Sequence, residues 1–336
     1  MPAFGLDGIS VSFPAGRSRV EALRGVSMEV SPNEILVILG GTGAGKTTLL
    51  RVLAGLQKPD TGRVLEDRAD ISMLPPHRRD MAMVFQNFSL YPRMTVGENL
   101  AFPLKAKVLG LSEAEIGSRV GEAAAILGLA DKFARRPHEL SGGELQRVAI
   151  GRALVRRPKL FLMDEPLASL DAKLRERMVV EIRRLQRSLG CGMIYVTHDH
   201  VEAMSLADRI LVLDRGRVLQ TGTPEEIYRR PADSRVARML GRPGINILTA
   251  DEAGRLGLPV NGNKLVGIRP ESWRVTADAL GPAIASVVEH LGPHIALVLD
   301  VQGVTLRVTV SPGLRMRPGD RFRLGMDAAD LIYMDR

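Results

Sequence analysis

The residues best suited to chemistry run from Gly40 to Thr48, GGTGAGKTT. Gly40-Gly41-Thr42-Gly43-Ala44-Gly45-Lys46-Thr47 fits the pattern GxxxxGK[ST]. Glycines at these positions let the backbone curl so that successive N–H groups point inward at phosphate oxygens, and a following helix adds the partial positive charge of its N-terminus. Lys46 is expected to reach the β- and γ-phosphates, and the Thr47 hydroxyl to ligate Mg²⁺. Further along, Asp164 and Glu165 stand side by side at the end of the apolar run Leu160 to Met163. Asp164 is placed to hold Mg²⁺ through its water shell, and Glu165 to orient and polarise an attacking water. Gln86, directly after the apolar run Met81 to Phe85, offers an amide to a metal-bound water or a phosphate. Ser141-Gly142-Gly143 precedes a helical pattern and predicts a second anion-binding N-terminus. His198 follows the apolar run Met193 to Val196 and can hydrogen-bond a γ-phosphate or the water. His198 and His200 have the spacing of a metal pair, but no cysteine or third histidine lies nearby, which weighs against zinc.

These groups need elements to position them. Ile35 to Leu39 is a β-branched run of the kind buried on both faces of a parallel sheet. The order strand, glycine loop, helix (Lys46 towards Leu56) is the context the phosphate motif requires; a glycine-rich turn that binds nothing needs neither neighbour. A single histidine at the C-terminal end of a parallel strand sits where doubly wound folds keep their ligand sites. Gly8 to Phe13 and Val26 to Val30 alternate apolar and polar residues and predict an antiparallel piece. Phe13, an aromatic at a strand end, reads as core on sequence alone. Ser112 and Glu115 make a capping box for a helix whose Ile116, Val120, Ala123 and Leu127 share one face. Ala172 to Leu189 is amphipathic, with Leu174, Met178, Ile182, Leu185 and Leu189 on one side. Its arginines 175, 177, 183, 184 and 187 read as a solvated surface.

The 336 residues suit one large and one smaller domain, 45% hydrophobic and 25% charged, with a net charge of +8. The N-terminus lacks the basic and apolar regions of a signal peptide, and no apolar run reaches the roughly 18 residues that cross a bilayer. The single cysteine, Cys191, forms no intrachain disulfide and fits a reducing cytosol. Aromatic residues are 4% of the chain, which leaves few stacking platforms for single-stranded nucleic acid.

Together the motifs resemble the nucleotide-binding subunit of an ABC transporter. Gly40 to Thr47 matches Walker A, Gln86 the Q-loop, and Leu140 to Glu144 (LSGGE) the signature. Leu160 to Glu165 (LFLMDE) matches Walker B, Ala168 to Asp171 (ASLD) the D-loop, and His198 the switch histidine. The resemblance implies an α/β P-loop ATPase domain with a helical subdomain at about residues 88–157, ATP and Mg²⁺ as ligands, and Phe13 stacked on adenine. It also implies a head-to-tail homodimer, in which Ser141, Gly142, Gly143, Glu144 and Asp171 of one subunit close over the P-loop of the other. Three positions depart from the family pattern. Glu144 stands where glutamine is usual, Ala168 where the D-loop has serine, and His200 where glutamine is common. The segment from Asp80 to Lys105, with TGTPEEIYRRPAD and GRPGINIL, resembles the maltose and glycerol-3-phosphate type of importer ATPase. In that type the region around Gln86 to Leu104 receives a coupling helix of the membrane subunit.

From about Gly241 the character changes to short alternating strands, at Leu265 to Ile268, Ile284 to Glu289, Ile295 to Val301 and Val304 to Val310, with a hairpin at Gln302-Gly303. This predicts a small OB-like barrel over 241–336 after an ATPase domain over 1–240. GIRPE (Gly267 to Glu271) resembles the regulatory (TOBE-type) domain of these importers. The expected protein is a peripheral ATPase on the cytoplasmic face of the inner membrane. Its partners are two integral membrane permeases and, indirectly, a solute-binding protein, with sugar or polyol phosphate as cargo. Polyamine, iron and sulfate importers have similar ATPases. A soluble ABC ATPase acting on DNA or ribosomes would carry two nucleotide domains or a long coiled coil, and neither pattern is present.

Overall fold

The computed structural model describes residues 4–16, 18–106, 109–313 and 316–335. Two compact units divide the chain, Met1–Pro224 and Glu225–Arg336.

In the first unit, strands β1 (Phe4–Ala15) and β2 (Ser18–Val30) form a long antiparallel hairpin, each extending well beyond the expected strand. With β4 (Thr61–Glu66) and β5 (Ala69–Asp70) they make a four-stranded sheet. The second sheet carries the site residues. Its members are β3 (Ile35–Leu39), β6 (Met81–Val84), β7 (Leu160–Asp164), β8 (Gly192–Thr197), β9 (Arg209–Asp214) and β10 (Arg217–Gly222), in the order β10-β9-β3-β8-β7-β6. All pairs are parallel except β9 with β10. Every residue of β3, β7 and β8 is buried, as near-continuous apolar runs require when helices cover both faces. Register aligns the strand ends: Leu39 lies opposite Thr197, Asp164 opposite Val196, and Val84 opposite Met163. The glycine loop, Gln86, Glu165 and His198 therefore leave the sheet at the C-terminal ends of its parallel strands.

Helix α1 (Lys46–Leu53) follows the loop and buries Leu49, Leu50, Val52 and Leu53. Three helices, α2 (Val96–Ala101), α3 (Glu113–Ile126) and α4 (Gly142–Leu154), form a helical layer. The capping box at Ser112 and Glu115 is present, with Ile116, Val120 and Ala123 buried. Gly151 of α4 is needed for close packing, since a Cβ there would lie 2.6 Å from Leu100 of α2. Helix α5 (Ala172–Leu189) is followed by α6 (His200–Leu206) after β8. Met178, Ile182 and Leu185 of α5 are buried as the periodicity predicts.

Two of the arginines of α5 are not surface ornaments, which corrects the sequence expectation. Arg183 donates to both Asp208 carboxylate oxygens and to Leu206 O, and Asp208 also accepts from Ile35 N. Arg175 reaches Asp199, Glu202 and the Leu170 carbonyl. An amphipathic pattern tells which side of a helix is apolar, but a long guanidinium at the border can lay its stem on the core and still find a carboxylate.

The second unit begins with the remainder of α7 (Pro224–Arg229), then α8 (Ser234–Arg238), β11 (Asn246–Leu248) and α9 (Ala250–Arg255). Strands β12 (Leu265–Ile268), β13 (Arg274–Ala277), β14 (Ala283–His290), β15 (Ile295–Val301), β16 (Val304–Val310), β17 (Arg321–Gly325) and β18 (Ile332–Met334) follow. They form two antiparallel sheets, β11-β12-β18 and β13-β17-β14-β15-β16, over a core that includes Trp273, Leu297, Leu299, Leu306 and Phe322. The curled antiparallel sheet is the OB-like architecture expected. At the β15–β16 hairpin Gln302 and Gly303 have φ of 53° and 77°, the paired positive φ of a type I′ turn. Arg269 is buried, stacks over the Tyr228 ring and donates to the carbonyls of Tyr228 and Leu240, tying residues 225–240 into this unit.

Candidate active site

The loop after β3 is shaped by close backbone approach. A Cβ on Gly40 would lie 2.3 Å from Leu213 O, and one on Gly45 would lie 2.4 Å from Ala22 O. Gly43 and Gly45 also have φ of 77° and 106°, a region that side chains disfavour. Ala44 is buried; its N–H donates to Gly41 O, and its carbonyl accepts from Gly216 N. Thr42 is exposed on the loop, while Thr48 lies in the first turn of α1, a turn that contains no acidic residue. An anion at this helix end meets N–H groups and no repelling carboxylate on the helix itself.

Lys46 is buried to 5% exposure. Its Nζ donates to Gly40 O at 2.9 Å and Gly41 O at 3.0 Å, and lies 3.1 Å from Glu165 Oε1. The other Glu165 oxygen accepts a hydrogen bond from His198 Nδ1 at 2.9 Å. Lys46, Glu165 and His198 thus form one chain across the ends of β3, β7 and β8. Glu165 has φ of 45° and its N–H donates to Val196 O. This left-handed turn, sparsely populated for a non-glycine residue, swings the carboxylate off the strand axis. Beside the chain, Thr47 Oγ1 donates to Asp164 Oδ1 at 3.0 Å. Burial pushes the Asp164 carboxyl above its usual range, the neighbouring Glu165 adds to the rise, and the Thr47 hydrogen bond opposes it. A hydroxyl and a buried carboxylate in contact next to a lysine are the hard oxygen donors that suit Mg²⁺.

Other predicted residues sit elsewhere in the first unit. Gln86 is exposed in the turn after β6. The loop that follows it is held by Arg152 of α4, which donates to Phe88 O at 3.0 Å and stacks over the Tyr91 ring. Phe13 lies on β1 opposite Val20 and is 38% exposed, so it is not the core residue that strand position alone suggests. Ser141 caps α4, and its Oγ accepts from Glu144 N while Glu144 Oε2 accepts from Ser141 N at 2.8 Å. Glu144, at the position where glutamine is usual, thus completes a capping box, and the Ser141 N–H holds its carboxyl below the usual range. Gly142 and Gly143 make room for Leu170 and Leu174, whose side chains would lie 3.1 and 3.0 Å from a Cβ. Asp171 caps α5 through Leu174 N. The hydrogen bonds of Ser141, Glu144 and Asp171 are local, and none reaches Lys46 or Glu165.

A network behind His198 escaped the sequence reading. Buried Glu202 accepts from Tyr195 OH and Thr197 Oγ1, both at 2.8 Å, and Asp199 N donates to Thr197 Oγ1. The only sequence signal for it is a threonine and an aspartate flanking the histidine.

A glycine cradle at a strand end, facing a lysine, a hydroxyl–carboxylate pair and a second carboxylate bonded to histidine, defines a P-loop ATPase. The chain matches the family model described as ABC transporter over residues 23–168 and that of the TOBE domain over residues 266–334. It is 42% identical to the trehalose/maltose import ATP-binding protein MalK of Thermococcus litoralis, with 94% of each chain covered. It is 43% identical to the sn-glycerol-3-phosphate import ATP-binding protein UgpC of Chromobacterium violaceum, over 100% of this chain and 95% of that one. The solved dimeric, post-hydrolysis state of the ATP-binding cassette MJ0796 bound to ADP and Pi superposes with a TM-score of 0.59 at 32% identity, covering 66% of this chain and 98% of that chain. The chain belongs to the ABC transporter family, as an ATP-binding, ATP-hydrolysing importer subunit.

Proposed function

We propose that this ATPase drives uptake of a sugar or polyol phosphate, working as a head-to-tail homodimer on two integral membrane permeases at the cytoplasmic face of the inner membrane. A solute-binding protein delivers the cargo. The observation that carries the catalytic part is the Lys46–Glu165–His198 chain at the mouth of the P-loop. The cargo class rests on the relatives, one named for trehalose and maltose and another for sn-glycerol 3-phosphate.

In this reading the N–H groups of 40–48 bind the phosphates, and Lys46 exchanges its contacts to Gly40 O and Gly41 O for β- and γ-phosphate oxygens. Thr47, Asp164 and Gln86 would hold Mg²⁺, which supplies charge neutralisation on the phosphates. Glu165, freed from Lys46, accepts a hydrogen bond from the attacking water and polarises it. His198 holds Glu165 in place and offers its other ring nitrogen to a phosphate oxygen or the water. Phe13 stacks on the adenine. The partner subunit contributes its signature segment and its D-loop. Tyr91 and Phe102 pack with ring centroids 4.5 Å apart and remain 39% and 43% exposed, in the region proposed to receive the coupling helix.

The reconstituted complex tests the cargo. Binding protein loaded with a sugar or with sn-glycerol 3-phosphate should raise ATP turnover severalfold over the unloaded protein. Stimulation only by polyamine-, iron- or sulfate-loaded binding proteins would overturn the cargo assignment and leave the ATPase standing.

The C-terminal domain is proposed to regulate rather than catalyse; the sequence character places its start at Gly241, whereas the compact unit begins at Glu225. A chain ending at Pro224 should fold and keep basal ATP hydrolysis to within about threefold, as an independent domain does. A chain ending at Leu240 should be the less stable of the two, because it retains residues 225–240 without Arg269. Melting temperatures and basal turnover of both truncations check this; a folded Pro224 truncation unable to bind ATP refutes the division.

A further inference from the structure

We propose that Arg175 is a positioning residue for hydrolysis: it clamps the end of the D-loop to the segment that carries His198, and so sets His198 against Glu165. This rests on the catalytic reading of Glu165 and His198 given above.

Three contacts define the clamp. Arg175 Nη2 donates to Leu170 O at 2.9 Å, Nη1 lies 3.4 Å from Asp199 Oδ2, and Nε lies 3.6 Å from Glu202 Oε1. The guanidinium is a rigid planar fork whose two Nη groups hydrogen-bond Asp199 and Leu170, while the Nε contact to Glu202 is an ion pair without a hydrogen bond. Each matters for a different reason. Leu170 packs against Gly142 at the start of the signature helix, and its carbonyl is one residue before the Asp171 cap of α5. Asp199 follows His198 directly and caps α6 through Val201 N. Glu202 is 5% exposed and receives the hydroxyls of Tyr195 and Thr197, the latter directly preceding His198. His198 is thus bracketed on both sides by residues tied into the network that Arg175 completes.

The charge balance makes the arginine hard to replace. Asp199 and Glu202 both face the same guanidinium, and the Tyr195 and Thr197 hydroxyls are donors without charge. Without Arg175 two carboxylates one helical turn apart lose their shared cation, one of them inside the protein, and the segment around His198 loses the group that joins it to Leu170 O. The His198 ring is itself 56% exposed, so its own packing does little to hold it.

Steady-state ATPase kinetics of the full chain test the proposal. Arg175→Ala should lower kcat by about 10- to 100-fold, the usual effect of misplacing a reacting group by an ångström. KM for ATP should stay within about threefold, because the P-loop contacts are untouched. The decisive comparison is with His198→Ala. If Arg175 acts through His198, the double variant should be no slower than His198→Ala alone to within about twofold, since coupled residues are non-additive. Independent, multiplicative losses would overturn the proposal, as would a raised KM at unchanged kcat. Should Arg175→Ala fail to fold, Arg175→Lys carries the same cycle, because it keeps the charge but cannot reach all three partners as a fork. Wild-type turnover by His198→Ala itself would instead remove the catalytic reading, a distinct failure from multiplicative losses.

Discussion

Replacing Lys46 with alanine is expected to abolish detectable ATP turnover and to weaken ATP binding by about 10- to 100-fold. The binding figure follows from losing a charge-assisted hydrogen-bonding group, worth about 1.5–3 kcal/mol. Turnover falls much further, by at least about 10³-fold, because the same ammonium also neutralises charge that grows during phosphoryl transfer. The structure adds a second reason. Lys46 is the cation against Glu165, which is only 19% exposed; alanine leaves that carboxylate held through His198 and open to reorientation. Fluorescent-nucleotide titration and phosphate release separate the two effects. Near-normal hydrolysis by a folded Lys46→Ala chain is incompatible with a phosphate site built around Lys46.

Glu165→Gln should hydrolyse ATP about 10²–10⁴ times more slowly while still binding it, because glutamine keeps the size and hydrogen-bonding reach of glutamate but cannot act as a base. If the nucleotide is shared between two copies, uncleaved ATP then accumulates at the interface. The variant should pass from monomer to dimer on gel filtration when ATP and Mg²⁺ are added. Adding Ser141→Arg to the same chain should prevent that passage. Ser141 stands at the start of α4, where an arginine would fill the space proposed for the partner's γ-phosphate. The substitution also removes the capping box with Glu144, a loss of about 1 kcal/mol that a domain of this size tolerates. Binding of ATP by the monomer should survive, since the P-loop is untouched. A Glu165→Gln chain with wild-type turnover removes the proposed role of Glu165; a double variant that still dimerises with ATP removes the head-to-tail geometry instead.

Much of this protein is determined locally and can be read from the sequence. The phosphate cradle is a matter of backbone conformation, and backbone conformation is written in glycines between a β-branched run and a helix. The capping boxes of Ser112 with Glu115 and Ser141 with Glu144 each close within four residues, so spacing suffices to find them. Strands β3, β7 and β8 are apolar throughout because they are covered on both faces, and their ends mark where the polar residues must emerge.

Only the tertiary structure decided which of those polar residues touch. Lys46 and Glu165 are 119 positions apart, and their contact depends on the strand order β3-β8-β7 and on the left-handed turn at Glu165. No pattern at helical or strand spacing encodes either. The same limit applies to Arg175 and Arg183: on a helix rich in arginine their types match their solvated neighbours, and what separates them is where Asp199, Glu202 and Asp208 come to lie after the chain has crossed the sheet. Hydrophobic periodicity fixes which face of a helix is buried, whereas a charged residue at the edge of that face acquires its partner from whichever element packs beside it.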